Sequence, residues 1–307
     1  MRKSEPIHTA LLLALALGCS GQAPPPKTAP KLAPAALPAP AKGPASAAPV
    51  KPRTLYERLG GEVGIAALSE KLIEAMKGDA ELGKNVAVSA ALERGDTVRL
   101  KKLTKEFLCW ASGGPQKYSG RALGEAHAPL RISQRDWELS LAHLRATLDA
   151  LGVGGKERAE LLALFEHTRG EIVQTLYDRM GGERGVNALA GDLVDALAKD
   201  RKLRKNKTVK AAFHEADPWM LRRLVADTIG QSTGGPQKYE GPPLAEALAT
   251  VGFGDAEWDI ATQILASVLH KHDVPPVERD ELLRLAMTTK AELARDLARP
   301  KAEPAPE

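Results

Sequence analysis

The chain has little of several features that a protein of 307 residues usually contains. Aromatic residues make up only 4% of it, and there are only two cysteines. No segment alternates apolar and polar residues as a half-buried β-strand does, and no apolar run is long enough to span a bilayer as a helix. No Ser/His/Asp set, Cys₂His₂ zinc spacing or phosphate-binding loop is present, so we predict no catalytic residue. The abundance of Ala and Leu favours helices.

An excess of charge of one sign is also lacking. The formal net charge is +4, and Lys and Arg are interspersed with Asp and Glu. A nucleic-acid-binding protein is expected to carry a basic stripe or a strongly basic domain. We therefore expect no nucleic-acid partner, and the mild positive balance says little about other partners.

The N-terminus has the pattern of an export signal. Arg2 and Lys3 precede a short apolar run, Leu11 to Leu17, that ends just before Cys19. A small residue before a cysteine at this place resembles a bacterial lipobox, although the position three before Cys19 has Ala where that motif usually has Leu. We predict a lipoprotein-type signal over 1–19, lipidation at Cys19, and a lipid-anchored place in the bacterial cell envelope. The alternative is an ordinary cleaved secretory signal with an incidental cysteine.

Two segments have compositions that cannot form a core. Residues 20–53 are nearly all Ala, Pro and Lys, which predicts a disordered tether. Residues 297–307 are predicted to be a disordered tail.

The remainder of the chain is a tandem repeat of one domain. GGPQKY begins at Gly113 and again at Gly234, and LYERLGGEVG returns as LYDRMGGERG at the same spacing. We predict domain 1 over 54–173 and domain 2 over 174–296. Residues kept in both copies are expected to maintain the fold, and residues kept in only one are candidates for function.

Each copy predicts helices only. The clearest helix start is Ser133 with Asp136, which resembles a capping box. Cys109 lies in a helical pattern and is expected to be buried. The predicted apolar stripes of domain 1 are Val63, Ala67, Leu68, Leu72, Ile73 and Met76; Leu100, Leu103, Phe107 and Leu108; Trp137, Leu139, Leu141, Leu144 and Leu148; and Leu161, Leu162, Leu164 and Phe165.

These landmarks together resemble the group I truncated haemoglobins. The resemblance rests on the opening LYxxxGG segment, on the GGPxxY loop at Gly113 to Tyr118, on Ala126-His127, and on Ile132-Ser133 followed by Trp137. It covers both copies almost completely. It implies an all-α chain with two tandem, short two-over-two helical globin domains.

For domain 1 the resemblance implies a haem b held by His127 as the proximal iron ligand. Phe107 is retained from the family pattern, and Leu100 and Thr104 occupy matched positions on the distal helix. Ile73 stands where the family usually has an oxygen-binding tyrosine, and Val86 stands where it has a phenylalanine. The alternative is that His127, among apolar neighbours, is a partly buried structural histidine.

Domain 2 departs further from the family. Leu248 replaces the histidine, and leucine cannot ligate iron. Val194, Lys207, Val225 and Thr228 stand at the other matched positions, with Lys207 placing a charge where the haem face is expected. We therefore expect no haem in domain 2.

Two functions follow from these patterns. The first is an envelope haem protein that binds a diatomic gas through domain 1, with nitric oxide dioxygenase activity as a weaker variant. The second is a haem-free interaction or sensory protein on a globin scaffold, with a protein partner for domain 2. A haem titration distinguishes them.

Overall fold

The structure, a computed structural model, describes residues 52–241 and 244–298. Within those ranges every regular element is a helix and no strand occurs. The predicted signal segment, Cys19, and all but the last two residues of the predicted tether lie outside the described residues.

Domain 1 has seven α-helices. They are α1 (Leu55–Arg58), α2 (Gly61–Lys77), α3 (Val86–Ser89), α4 (Thr97–Ala111), α5 (Leu123–His127), α6 (Gln134–Ala150) and α7 (Gly155–Ile172). Short 3₁₀ turns cover Leu82–Lys84 and Ala128–Leu130, and one π-helical turn covers Ala90–Arg94. Helix α2 packs against α4 and α6, α6 packs against α7, and α5 packs against α7.

Domain 2 repeats this order. Its helices are α8 (Leu176–Arg179), α9 (Gly182–Lys199), α10 (Lys207–Glu215), α11 (Pro218–Ser232), α12 (Leu244–Thr250), α13 (Asp255–Lys271) and α14 (Pro276–Ala298). Helix α9 packs against α11 and α13, and α13 packs against α14, as their counterparts do in domain 1. Helix α14 continues two residues into the predicted tail, and the rest of that tail lies outside the described residues.

The helix starts follow from the sequence. Thr54 and Thr175 cap α1 and α8 with reciprocal capping boxes, and Ser133 caps α6 in the same way with Asp136. Each box satisfies backbone N–H groups that the first helical turn leaves without partners. Gly60 and Gly181 precede α2 and α9 with φ angles of 89° and 93°, a left-handed conformation that explains the repeated Gly-Gly pair.

The buried side chains of domain 1 agree with the predicted helices, but the buried face of α2 differs from the predicted one. Val63, placed on the buried stripe from its spacing, is 80% exposed. The buried face of α2 instead runs from Ile65 through Leu68 and Leu72. Val63 lies two positions before Ile65, about 200° around the helix, so the two side chains cannot share one face. Cys109 is buried as predicted and is not in a disulfide.

The repeated GGPQKY turn is maintained by contacts with the first helix of its own domain. The Tyr56 N–H donates to the Ser112 carbonyl, and the Tyr177 N–H donates to the Thr233 carbonyl, both at 2.9 Å. A Cβ at Gly114 or Gly235 would lie 2.6 Å from the ring of Tyr56 or Tyr177. Only glycine permits this approach, so packing explains the second glycine of the repeated turn.

The chain divides into two structural units between Val173 and Gln174. No helix in the described ranges is both long enough and apolar enough to cross a membrane.

Candidate functional site

His127 occupies the last position of α5 in domain 1. Its side chain is half-buried, and its Nδ1 lies 2.8 Å from the carbonyl oxygen of Leu123, one turn earlier. A carbonyl oxygen can only accept, so this contact places a proton on Nδ1, and in the neutral imidazole the lone pair is then on Nε2. A neutral imidazole fixed in this way is the form that binds a metal ion.

The loop before α5 is attached to α4, and this attachment positions His127. The carboxylate of Glu106 accepts hydrogen bonds from the backbone N–H and the hydroxyl of Ser119, at 3.2 and 2.6 Å. Ser119 is also the main reason that the pKa of Glu106 lies below its ordinary value. The ring of Phe107 meets the ring of Tyr118 edge to face, with centroids 5.7 Å apart. Phe107 therefore lies between α4 and the loop that leads to His127.

Glycine at position 124 lets α5 lie close to α7. A Cβ there would be 3.1 Å from the carbonyl oxygen of Glu171, which is a tight contact. The position of His127 is thus set from two sides, by α4 through the loop and by α7 through Gly124.

Asn85 is a positioning residue that the sequence analysis missed. Its side-chain oxygen caps α3, and its Nδ2 donates to the Leu130 carbonyl and to the Asp136 carboxylate, both at 3.0 Å. It joins the corner before α4 to the turn that follows His127. Asn206 makes similar bonds in domain 2, to the Gly252 carbonyl, one position further along the turn, and to the Glu257 carboxylate. The duplication could have revealed it, since asparagine stands at this position in both copies.

The predicted distal residues lie on two neighbouring helices. Ile73 is buried on α2, while Leu100 and Thr104 are half-buried one turn apart on α4. Helix α4 is held against α2 by Lys101, which pairs with Glu74 and Glu70. Ile73 thus lies on α2, while Leu100, Thr104 and Phe107 lie on α4, the helix that packs against it.

Val86 does not join this set, because its side chain is 67% exposed at the start of α3. Val88, two positions later, is buried in the core of domain 1. The interior of this corner is therefore lined by Val88, although the family pattern had pointed to Val86.

In domain 2 the residues that correspond to Ile73, Thr104, Phe107 and His127 are all buried. Val194, Val225 and Leu248 are at most 3% exposed and belong to one continuous core, and Thr228 is also buried. The Thr228 hydroxyl donates to the carbonyl of Leu224 in its own helix. Lys207 is exposed at the start of α10, as Val86 is at the start of α3, so this position lies at the surface in both copies. The expectation that Lys207 places a charge at the haem face stays a prediction.

Both halves match one family model, described as bacterial-like globin, over residues 54–174 and 175–294. The chain belongs to the bacterial-like globin family. The prediction of an all-α chain with two tandem truncated-globin domains is thereby confirmed. Globins bind haem and, through it, diatomic gases.

Individual relatives each match one copy of this tandem globin. A group 1 truncated hemoglobin of Tetrahymena pyriformis is 29% identical over 123 residues, covering 40% of this chain and 97% of its own length. A group 1 truncated hemoglobin of Synechocystis sp. is 32% identical over 116 residues, covering 36% of this chain and 88% of its own length. The crystal structure of the Tetrahymena pyriformis truncated hemoglobin in its Fe(III) form is 28% identical, with a TM-score of 0.36 and coverage of 39% of this chain and 98% of that one.

Proposed function

We propose that this protein binds one haem b in domain 1, with His127 as the iron ligand, and that the haem binds a diatomic gas. The contact between the Nδ1 of His127 and the Leu123 carbonyl carries the proposal. It supports a histidine held in the tautomer that a metal requires, at the position where the globin pattern has its ligand.

The donor set of domain 1 fits a haem. His127 supplies one nitrogen among apolar neighbours, and Leu100, Leu123, Leu130 and Phe165 are half-buried apolar side chains around the core. A porphyrin face needs such a lining, together with a single imidazole on one side. The bound haem would supply an iron centre that takes up the gas.

The distal side suits a gas that needs little hydrogen bonding. Ile73 and Leu100 have no donor, and the Thr104 hydroxyl is the one side-chain donor among the predicted distal residues. A pocket of this kind favours carbon monoxide or nitric oxide over tightly held oxygen, because polar donors stabilise bound oxygen.

A haem titration tests this proposal. The full chain is expected to take up one equivalent of haem with a strong Soret band, and His127→Ala is expected to lose that band. His143→Ala is the matched control. His143, on α6, is also a half-buried histidine of domain 1, but its Nε2 lies 2.7 Å from the carboxylate of Asp79. A full chain that shows no Soret band at stoichiometric haem would contradict the proposal.

Domain 2 favours a second, haem-free role. The continuous core through Val194, Val225 and Leu248 supports a globin scaffold without a cofactor. We infer that this domain serves interaction or sensing in the cell envelope. Deletion of residues 175–294 should then abolish partner binding without changing the haem spectrum.

We also propose that the protein is exported and anchored in the bacterial envelope through a lipid on Cys19. The motif around Cys19 supports this, with its basic start and short apolar run. Labelled palmitate should enter the wild-type chain in cells and should not enter Cys19→Ser. Equal labelling of both chains would exclude this site.

A further inference from the structure

Domain 2 carries a concentrated basic surface that neither the globin assignment nor the haem proposal uses. Residues 201–210, called here the basic corner, contain six cationic side chains and no carboxylate. Because the whole chain has a formal net charge of +4, the residues outside the basic corner together carry −2. All six cations are exposed: Arg201, Lys202, Arg204, Lys205, Lys207 and Lys210.

The basic corner is structured and its cations have no internal counterions. Leu203 and Val209 are buried in the domain core, and the side chain of Asn206 caps α10. Among the described residues, none of the six cations forms an ion pair with a carboxylate; the nearby Asp195 pairs instead with Lys199 and Arg222. Six like charges on one folded segment repel one another, and an anionic partner would relieve this repulsion.

Large apolar side chains lie beside this positive charge. Trp219 and Met220, in the first turn of α11, are 65% and 40% exposed. The guanidinium of Arg223 lies over the Trp219 ring, 5.9 Å from its centroid. Asp195 on α9 accepts from Arg222 at 2.6 Å, which fixes the start of α11 beside the end of α9, where the basic corner begins.

Domain 1 lacks this surface. The matching residues, 80–89, contain one acid, Glu81, and one base, Lys84, and these two pair with each other at 2.6 Å. Val98 stands at the position of Trp219. Two domains with the same fold thus differ by six charges at one corner, so the fold itself does not require the basic corner.

We propose that the basic corner, with Trp219 and Met220, docks onto a bilayer surface rich in anionic phospholipid headgroups. Clustered Lys and Arg bind such surfaces electrostatically, and Trp prefers the membrane interface. A nucleic acid would match the cations but offers no apolar layer for Met220, so the lipid surface is favoured. This contact is separate from Cys19 and from haem binding, and a second attachment of this kind strengthens a single lipid anchor.

Vesicle partitioning tests the proposal. The full chain carrying Cys19→Ser, so that no lipid can be attached there, is mixed with phosphatidylcholine vesicles with or without phosphatidylglycerol. Binding is expected only with phosphatidylglycerol, and high salt is expected to reverse it. Replacing Arg204, Lys205 and Lys207 by Gln should weaken partitioning roughly 100-fold, since each cation near an anionic surface contributes about fivefold.

The matched control replaces three exposed lysines of domain 1, Lys71, Lys77 and Lys117, by Gln, which changes the net charge equally and should leave partitioning almost unchanged. Quenching by brominated lipid should decrease in Trp219→Ala. Equal binding to both kinds of vesicle, equal loss in the two triple variants, or tight binding to an oligonucleotide without binding to vesicles would each overturn the proposal. The salt and lipid dependence of the unaltered surface decides the matter even if a variant fails to fold.

Discussion

At the scale of single residues, the aligned pair that bears on the proposed haem site is His127 and Leu248. His127 is half-buried with its Nδ1 bound to a carbonyl, while Leu248 is buried in a continuous core. One position thus presents a potential metal ligand in one copy and a packing residue in the other.

The hydroxyl of Thr104, on the proposed distal side of the haem, provides a prediction at this scale. Among the described residues the hydroxyl has no hydrogen-bond partner, so it can donate to a polar ligand. Thr104→Val keeps the shape, and domain 2 already has Val225 there. Removing one neutral hydrogen bond costs about 1 kcal/mol, so oxygen dissociation should accelerate roughly fivefold. Stopped-flow dissociation measures this, with carbon monoxide as the unaffected control, and an unchanged oxygen rate would exclude a role for Thr104.

At the scale of elements, an arginine joins the first helix of each domain to the last. Arg58 on α1 pairs with Glu157 and Glu160 on α7, and Arg179 on α8 pairs with Glu278 and Glu281 on α14. All three residues of each set keep their spacing between the copies. Burial differs, because the side chain of Arg58 is 20% exposed and that of Arg179 only 2%.

This difference predicts unequal losses of stability. Arg179→Met would remove the guanidinium that pairs with the buried carboxylate of Glu278, and breaking a buried ion pair costs about 3–5 kcal/mol. Arg58→Met should cost less, because water can replace the lost partner. Hydrogen exchange, read peptide by peptide, measures the stability of each domain in the intact chain. A larger loss in domain 1 than in domain 2 would show that burial does not determine the contribution of these pairs.

The positions of the helices were more predictable from the sequence than the sides of the helices that are buried. Periodicity and capping signals identified α2, α4, α6 and α7, because local propensities determine where helices begin and end. Spacing alone misplaced Val63, and the family pattern pointed to Val86 where Val88 is buried. Which side of a helix is buried depends on contacts with segments that are distant in the sequence. The bonds from Asn85 to Leu130 and Asp136 are contacts of this kind.

At the scale of the whole molecule, duplication has produced two domains with one fold and different surfaces and interiors. The net charge of +4 does not reveal the difference in surface charge, because it is the sum of the basic corner and an otherwise slightly acidic chain. Comparing the copies position by position separates what maintains the globin fold from what distinguishes each domain.

Introducing a histidine at position 248 tests whether Leu248 alone prevents domain 2 from binding haem. Leu248→His, made in a chain that also carries His127→Ala, should give no Soret band, because Val194 and Val225 fill the interior that a haem would need. The change should also destabilise domain 2 by about 2–3 kcal/mol, since it buries an imidazole in an apolar core. Absorbance after haem titration and denaturant unfolding measure the two effects, with the His127→Ala chain as the reference. A restored Soret band would mean that Leu248 alone keeps haem out of domain 2, and the packing of its core would then not be the barrier.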